Sequence, residues 1–252
     1  MAGFNDEKFN KWFSAFVLVG MTVATVIVTG LKLYKADSGQ LWIVLAAFGS
    51  LMGVLATVCS ANGYIITFLF GLIDVAIYGV ACWHNWLAGG PGLGNALLHF
   101  AYFVPMQFVG FFQWRKRGAK ASTKVKARRL TGRQRWLLAG ITVLATTAMY
   151  FILLSFDRSA ANSFLKWAVL LDVIPLVCNV LGQLLMSAAY MEQWILWLCV
   201  NVSSIIMWVV TLRTTSDTAY ASVYIVKYSF YFINALNGLR IWIGLSRDKK
   251  IS

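Results

Sequence analysis

Eight apolar stretches, near residues 12–31, 41–59, 64–83, 93–114, 136–155, 164–189, 191–212 and 219–245, are separated by short polar connections. A helix needs about 20 apolar residues to cross a bilayer, whereas a barrel strand needs half that and alternates in polarity. The pattern therefore predicts an all-α polytopic membrane protein with eight transmembrane helices. Within these runs, polar residues recur at helical spacing. Trp194, Trp197, Asn201, Ser204 and Trp208 fall on one stripe, because residues three, four and seven apart lie above one another on a helix. Asp172, Asn179, Gln183 and Met186 form a second stripe. His99, Phe103, Gln107 and Gly110 form a third, and Lys227, Tyr231, Asn234 and Gly238 a fourth. An amide or carboxylate facing hydrocarbon costs several kcal/mol, so four such stripes predict one shared polar interior.

Composition agrees with this class: 60% of the 252 residues are hydrophobic and 12% charged, against about 25% charged in a soluble domain. The net charge of +13 suggests nucleic acid until the charges are located. Ten of the 22 Lys and Arg lie between Arg115 and Arg135, with no acid among them. Cytoplasmic loops carry such an excess beside anionic lipid, so this loop is read as cytoplasmic and no nucleic-acid partner is expected. Eight spans then put both termini inside, in agreement with Arg247, Lys249 and Lys250 in the tail. The connections on the other side are sparsely charged: Lys32, Lys35 and Asp37, then Asp157 and Arg158, then Arg213 and Asp217. The first run is longer than a signal-peptide core and is expected to remain a helix. Cys59, Cys82, Cys178 and Cys199 sit in or beside spans without ligand spacing and read as small buried packers.

The chain also resembles itself. Spans three and seven align at a shift of 127, which sets Thr67, Phe70 and Asp74 on Trp194, Trp197 and Asn201. Spans four and eight align at 128, which sets Gly110 and Trp114 on Gly238 and Trp242. This predicts a parallel repeat of three, one and three helices with its site near midplane between the halves, plus one extra N-terminal helix. The corresponding units are residues 1–40 (extra helix), 41–115 (first repeat), 116–160 (basic loop and connector helix) and 161–252 (second repeat and basic tail). Pro105 and Pro175, inside apolar spans, mark kinks beside a cavity or hinge.

Asp74 and Asp172 are acids deep in spans, and an intramembrane ionisable group is by default a functional candidate. No phosphate-binding Gly-Lys-Ser/Thr loop or His-Glu-x-x-His motif is present, and His84 and His99 give no catalytic pair. An enzyme is therefore not expected, nor any metal or cofactor. Proton coupling through the two acids is the competing transport mechanism. Trp208, near a span end, is expected to anchor the interface.

Leu171-Asp172, Gln183-Leu184, Glu192-x-Trp194-x-x-Trp197-x-x-x-Asn201 and Gly238-x-x-x-Trp242 resemble the PnuC family of bacterial vitamin transporters. The first half carries a fainter version in Asn62-Gly63, Gly71, Asp74 and Gly110-x-x-x-Trp114-Arg115. The resemblance implies a SWEET-like seven-helix core assembled as a homotrimer in the bacterial inner membrane. It implies import of nicotinamide riboside by facilitated diffusion, with a cytoplasmic kinase as functional partner that traps the vitamin; relatives carrying thiamine or riboflavin make another aromatic vitamin the alternative. The expected substrate-binding residues are Trp194, Trp197, Asn201, Gln107, Asn234, Tyr231, Asp74, Asp172 and Gln183. A pyridinium over an indole face gains about 0.5–2 kcal/mol, and the amides match the hydroxyls and carboxamide of the ligand.

Overall fold

Each apolar stretch forms a helix. The computed structural model of the chain describes residues 6–35, 39–87, 93–156, 163–214 and 218–247. Asp37, Asp157, Arg158, Asp217, Lys249 and Lys250, used above for orientation, lie outside them. The helices are α1 (Asp6–Lys35), α2 (Gln40–Ala61), α3 (Thr67–Leu87), α4 (Leu93–Leu98), α5 (Val104–Lys116), α6 (Gly132–Phe156), α7 (Ser163–Ser187), α8 (Gln193–Thr214) and α9 (Thr218–Leu245). A π-helical turn, His99–Phe103, joins α4 to α5, so the two make one span. Among the described residues, seven spans are long and apolar enough to cross a membrane. The 28-residue α9 is not one of the seven by that measure.

The π turn has a local cause. Pro105 has no amide, and its ring would clash with a carbonyl one turn back. The Val104 N–H instead bonds the His99 carbonyl five residues earlier. The wider turn keeps His99, Phe103 and Gln107 on one side, and all three face the interior cavity described below.

Six spans close a ring in the order α2, α3, α5, α7, α8, α9, with α9 returning to α2. α1 packs across α2 and α9, while α6 leans on α7 from outside. The ends of α2 and α7 are built alike. Gly63 (φ 77°) and Ala189 (φ 60°) take the left-handed conformation just past each helix. Tyr64 N–H bonds Cys59 O at 3.0 Å, and Tyr190 N–H bonds Leu185 O at 2.9 Å, which satisfies carbonyls the helix end leaves open. These bonds repeat at a shift of 126. They pair Phe68 with Trp194, one residue away from the 127 register that sets Thr67 there.

The basic loop, read from sequence as an orientation signal, is an ordered strap across both turns. Val125 N–H bonds Gly63 O at 3.0 Å; farther along, Arg128 N–H bonds Ala189 O at 2.7 Å and Met191 N–H bonds Arg128 O at 3.0 Å. Val125 and Ala127 point into the protein while Lys126 and Arg128 point out, an alternation of extended backbone. Lys124 lies over the Tyr64 ring and Arg128 over Tyr190. Beyond the strap, Thr131 and Gln134 exchange side-chain and backbone bonds as a capping box that starts α6.

Candidate functional site

Beneath the strap lies a floor of aromatic rings. Trp114, at the end of α5, donates its indole N–H to Met186 O of α7 at 2.8 Å. Trp242, at the end of α9, donates to Ser60 O of α2 at 3.0 Å. Both indoles are fully buried. Their ring centroids lie 5.3 Å apart, with Phe68 edge-on to Trp114 and Trp194 edge-on to Trp242. Nearby, buried Glu192 accepts from Arg135 Nε at 2.9 Å and from Leu130 N–H at 3.2 Å, which fastens the strap and the start of α6 to α8.

Above this floor is a cavity of about 830 Å³, within the range of small-molecule sites. Its walls run from Ser60, Thr67 and Trp194 at the floor to Lys32 and Trp42 near the opposite ends of α1 and α2. Every ring helix contributes, α1 supplies Thr25, Thr29 and Lys32, and α6 supplies no residue. Of the residues predicted from sequence, Trp194, Trp197, Asn201, Gln107, Tyr231, Asp74 and Gln183 line this one cavity.

Two predicted residues do not. Asn234 sits behind the wall, buried, its amide 3.4 Å from Thr57 O; Thr57 is the residue that reaches the cavity. Asp172 is exposed and lies outside the lining, although Asn179, Gln183 and Met186 of its stripe belong to it. The helix runs unbroken through Pro175, but its lining stretch begins at Leu176, and Asp172 lies one turn beyond it.

Small residues position the large ones. A methyl added at Gly238 would come within 2.7 Å of the Trp194 ring, and one at Gly71 within 2.7 Å of Gln107 Oε1. Trp197 rests on Gly182 and the Asp74 carboxylate on Gly53 in the same way. Gln183 reaches Ser187 Oγ at 3.4 Å, and Ser187 in turn donates to Met106 O at 3.2 Å, linking α7 to α5. Tyr102 O–H donates to Val180 O at 2.6 Å across the same seam.

Among the described residues, buried polar atoms of lining residues without a hydrogen-bond partner include Thr25 Oγ1, Ser60 Oγ and Trp194 Nε1. Glu192 Oε2, Gln193 Oε1 and Asn237 Nδ2 are also without one, on residues outside the lining. Buried donors and acceptors are rarely left unpaired, so Thr25 Oγ1, Ser60 Oγ and Trp194 Nε1 stand out as unmet polar groups packed just behind the cavity surface. Aromatic faces, carboxamides and unpaired donors around one cavity suit a flat, polar, ring-bearing molecule.

Sequence reasoning gave α1 no part in this wall, and it missed Ser50, Thr57 and Tyr224. The available signal for α1 was Thr25, Val28, Thr29 and Lys32, at positions i, i+3, i+4 and i+7 of an otherwise apolar helix. Trp208, expected as an interface anchor, stacks on Tyr224 with centroids 4.3 Å apart.

Residues 43–244 match the family model described as nicotinamide mononucleotide transporter. The chain belongs to that family. It is 31% identical over 249 residues to the nicotinamide riboside transporter PnuC of Neisseria mucosa, across 97% of this chain and 87% of that one. It is 28% identical over 203 residues to the Haemophilus influenzae protein of the same name, across 80% of each. A solved structure described as the crystal structure of the vitamin B3 transporter PnuC superposes with a TM-score of 0.61 at 30% identity, covering 92% of both chains. The chain is thus a multi-pass membrane protein of a bacterial transporter family. The family match begins in α2, so α1, which completes part of the cavity wall, lies outside it.

Proposed function

We propose that this protein imports nicotinamide riboside by facilitated diffusion across the bacterial inner membrane. The observation that carries this reading is the single cavity in which Trp194 and Trp197 stand beside the carboxamides of Gln107, Gln183 and Asn201. The indoles offer π faces to the pyridinium, and the amides offer donors and acceptors to the ribose hydroxyls and ligand carboxamide. Tyr231 and Asp74 add an aromatic face and a counter-charge. Asp172, exposed and outside the lining, takes no part.

In this reading the strap side is cytoplasmic, α9 is the eighth span, and both termini are inside. The ring then divides into two three-helix halves, α2 to α5 and α7 to α9, with α6 as the connector and α1 as an added helix. The crosswise indole bonds, Trp114 to Met186 and Trp242 to Ser60, support such a division. The aromatic floor closes the cytoplasmic side, so the cavity faces outward. The assembly is a homotrimer, and a cytoplasmic kinase traps the imported vitamin by phosphorylation. Among the described residues, the cavity holds lysines but no arginine to clasp a phosphate in two-pronged fashion, which favours the riboside over its mononucleotide.

Uptake into proteoliposomes tests this. Nicotinamide riboside should enter saturably and without response to a proton gradient, and uptake should fall strongly in Trp194→Ala and Asn201→Ala. Thiamine should compete poorly. Full uptake in both variants would remove these residues from the site, stronger competition by thiamine would reassign the substrate, and gradient-driven accumulation would replace uniport with proton coupling.

A further inference from the structure

A transporter for a cation has an unexpected lining: the cavity carries two ammonium groups, Lys32 and Lys227, and one carboxylate, Asp74. The placement of Lys227 is specific. Its Nζ donates to Ser50 Oγ at 2.9 Å and lies 5.9 Å from the Tyr224 ring centroid and 5.8 Å from that of Tyr231. Both separations fall within the roughly 6 Å over which a ring face attracts a cation. Trp208 stacks on Tyr224 and holds that ring in place. The Asp74 carboxylate meanwhile rests on Gly53, three residues and less than one turn from Ser50 on the same side of α2.

Lys227 thus stands at the tyrosine faces beside Ser50, in the same cavity as the carboxylate seated on Gly53 less than a turn away. We propose that Lys227 determines specificity for charge: its tethered ammonium holds the Tyr224 and Tyr231 faces against other cations and yields them, moving toward Asp74, when a flat aromatic cation enters. This rests on the reading of the cavity as a pyridinium riboside site and adds a residue to it. A small inorganic cation gains too little from a ring face to displace the lysine. A pyridinium, which brings its own ring and hydrogen-bonding groups, gains enough. Neutral nucleosides bypass the competition, because they do not seek the ring faces as cations.

The test uses the purified full-length chain and two ligands of the same shape: nicotinamide riboside, and its neutral dihydro form, in which the ring has accepted a hydride. Binding of each is measured by calorimetry. Lys227→Met should tighten the cation about tenfold, the loss of one cation–π competitor, and leave the neutral form unchanged. Lys227→Arg, which keeps the charge, should retain wild-type selectivity. Ser50→Ala, which removes the hydroxyl that tethers the ammonium, should shift the cation in the same direction by about threefold; it keeps the question answerable if the methionine variant does not fold. Weaker binding of both ligands in Lys227→Met would make the lysine a plain hydrogen-bond donor to the vitamin and overturn the inference. Unchanged binding of both would also overturn it and leave the transport reading standing. Failure of the wild type to bind either ligand would overturn both.

Discussion

Trp194 lies edge-on to Trp242 with centroids 6.3 Å apart, yet their indole N–H groups have different fates. Trp242 and its counterpart Trp114 each give the N–H to a carbonyl at a helix end, in a fully buried floor. Trp194 is as deeply buried, and its N–H has no partner in the protein. An unmet buried donor costs about 1–3 kcal/mol, so a fold that pairs two indoles and leaves a third open is using them differently. The paired indoles close the floor, and the unmet one stands where the proposed ligand site begins.

The largest effect should come from removing the floor. Trp242→Ala creates a large cavity and orphans its helix-end contact, and should lower stability by about 3–5 kcal/mol, read as a fall in thermal midpoint in detergent. Next is the fastening of the strap. Arg135→Ala leaves the buried Glu192 carboxylate with the Leu130 amide alone and should cost about 2–3 kcal/mol by the same measure; no change there would show that the strap closes that end without the ion pair.

A pair of glycine substitutions separates floor from wall more sharply. A methyl at Gly110 would overlap Phe68, beside the floor, whereas one at Gly238 would press on Trp194, in the cavity. Each overpacking should cost about 1–3 kcal/mol of stability, but Gly238→Ala should also reduce riboside uptake per folded molecule beyond what Gly110→Ala does. Equal uptake loss in both would erase the distinction. The smallest and most direct contrast is Trp→Phe at the two kinds of indole. Trp114→Phe should destabilise by about 1 kcal/mol and spare ligand affinity, while Trp194→Phe should spare stability and weaken binding several-fold.

The helices were largely legible in the sequence, because crossing a bilayer forces long apolar runs whose ends can be read to within a few residues. The stripes were legible for the same reason: seven of nine proposed residues share one cavity, since polar groups within spans have few places to go. What failed was what depends on neighbours. Asp172 shares its stripe's face but lies one turn beyond Leu176, where the α7 lining begins, and Asn234 fell behind the wall because Thr57 stands in front of it. The turn bonds around Gly63 and Ala189 recur at a shift of 126, one residue from the 127 register, and such bonds do not show in composition. The glycine seats under Trp194, Gln107, Trp197 and Asp74 are facts of helix-to-helix contact, invisible in a single helix. The strap was read only as charge, because Val125 and Ala127 look unremarkable until their amides and side chains are seen threaded between the two turns.

That threading limits travel. A peptide held by one bond at Gly63 and by two at Ala189 and Met191 has almost no slack over four residues, since an extended chain gains only about 3.3 Å per residue. If the two turns separate, the strap must unzip from one of them, exposing Val125 or Ala127 to water as it goes. How readily that end of the molecule parts is thus written in two small apolar side chains of a loop otherwise conspicuous for its lysines and arginines.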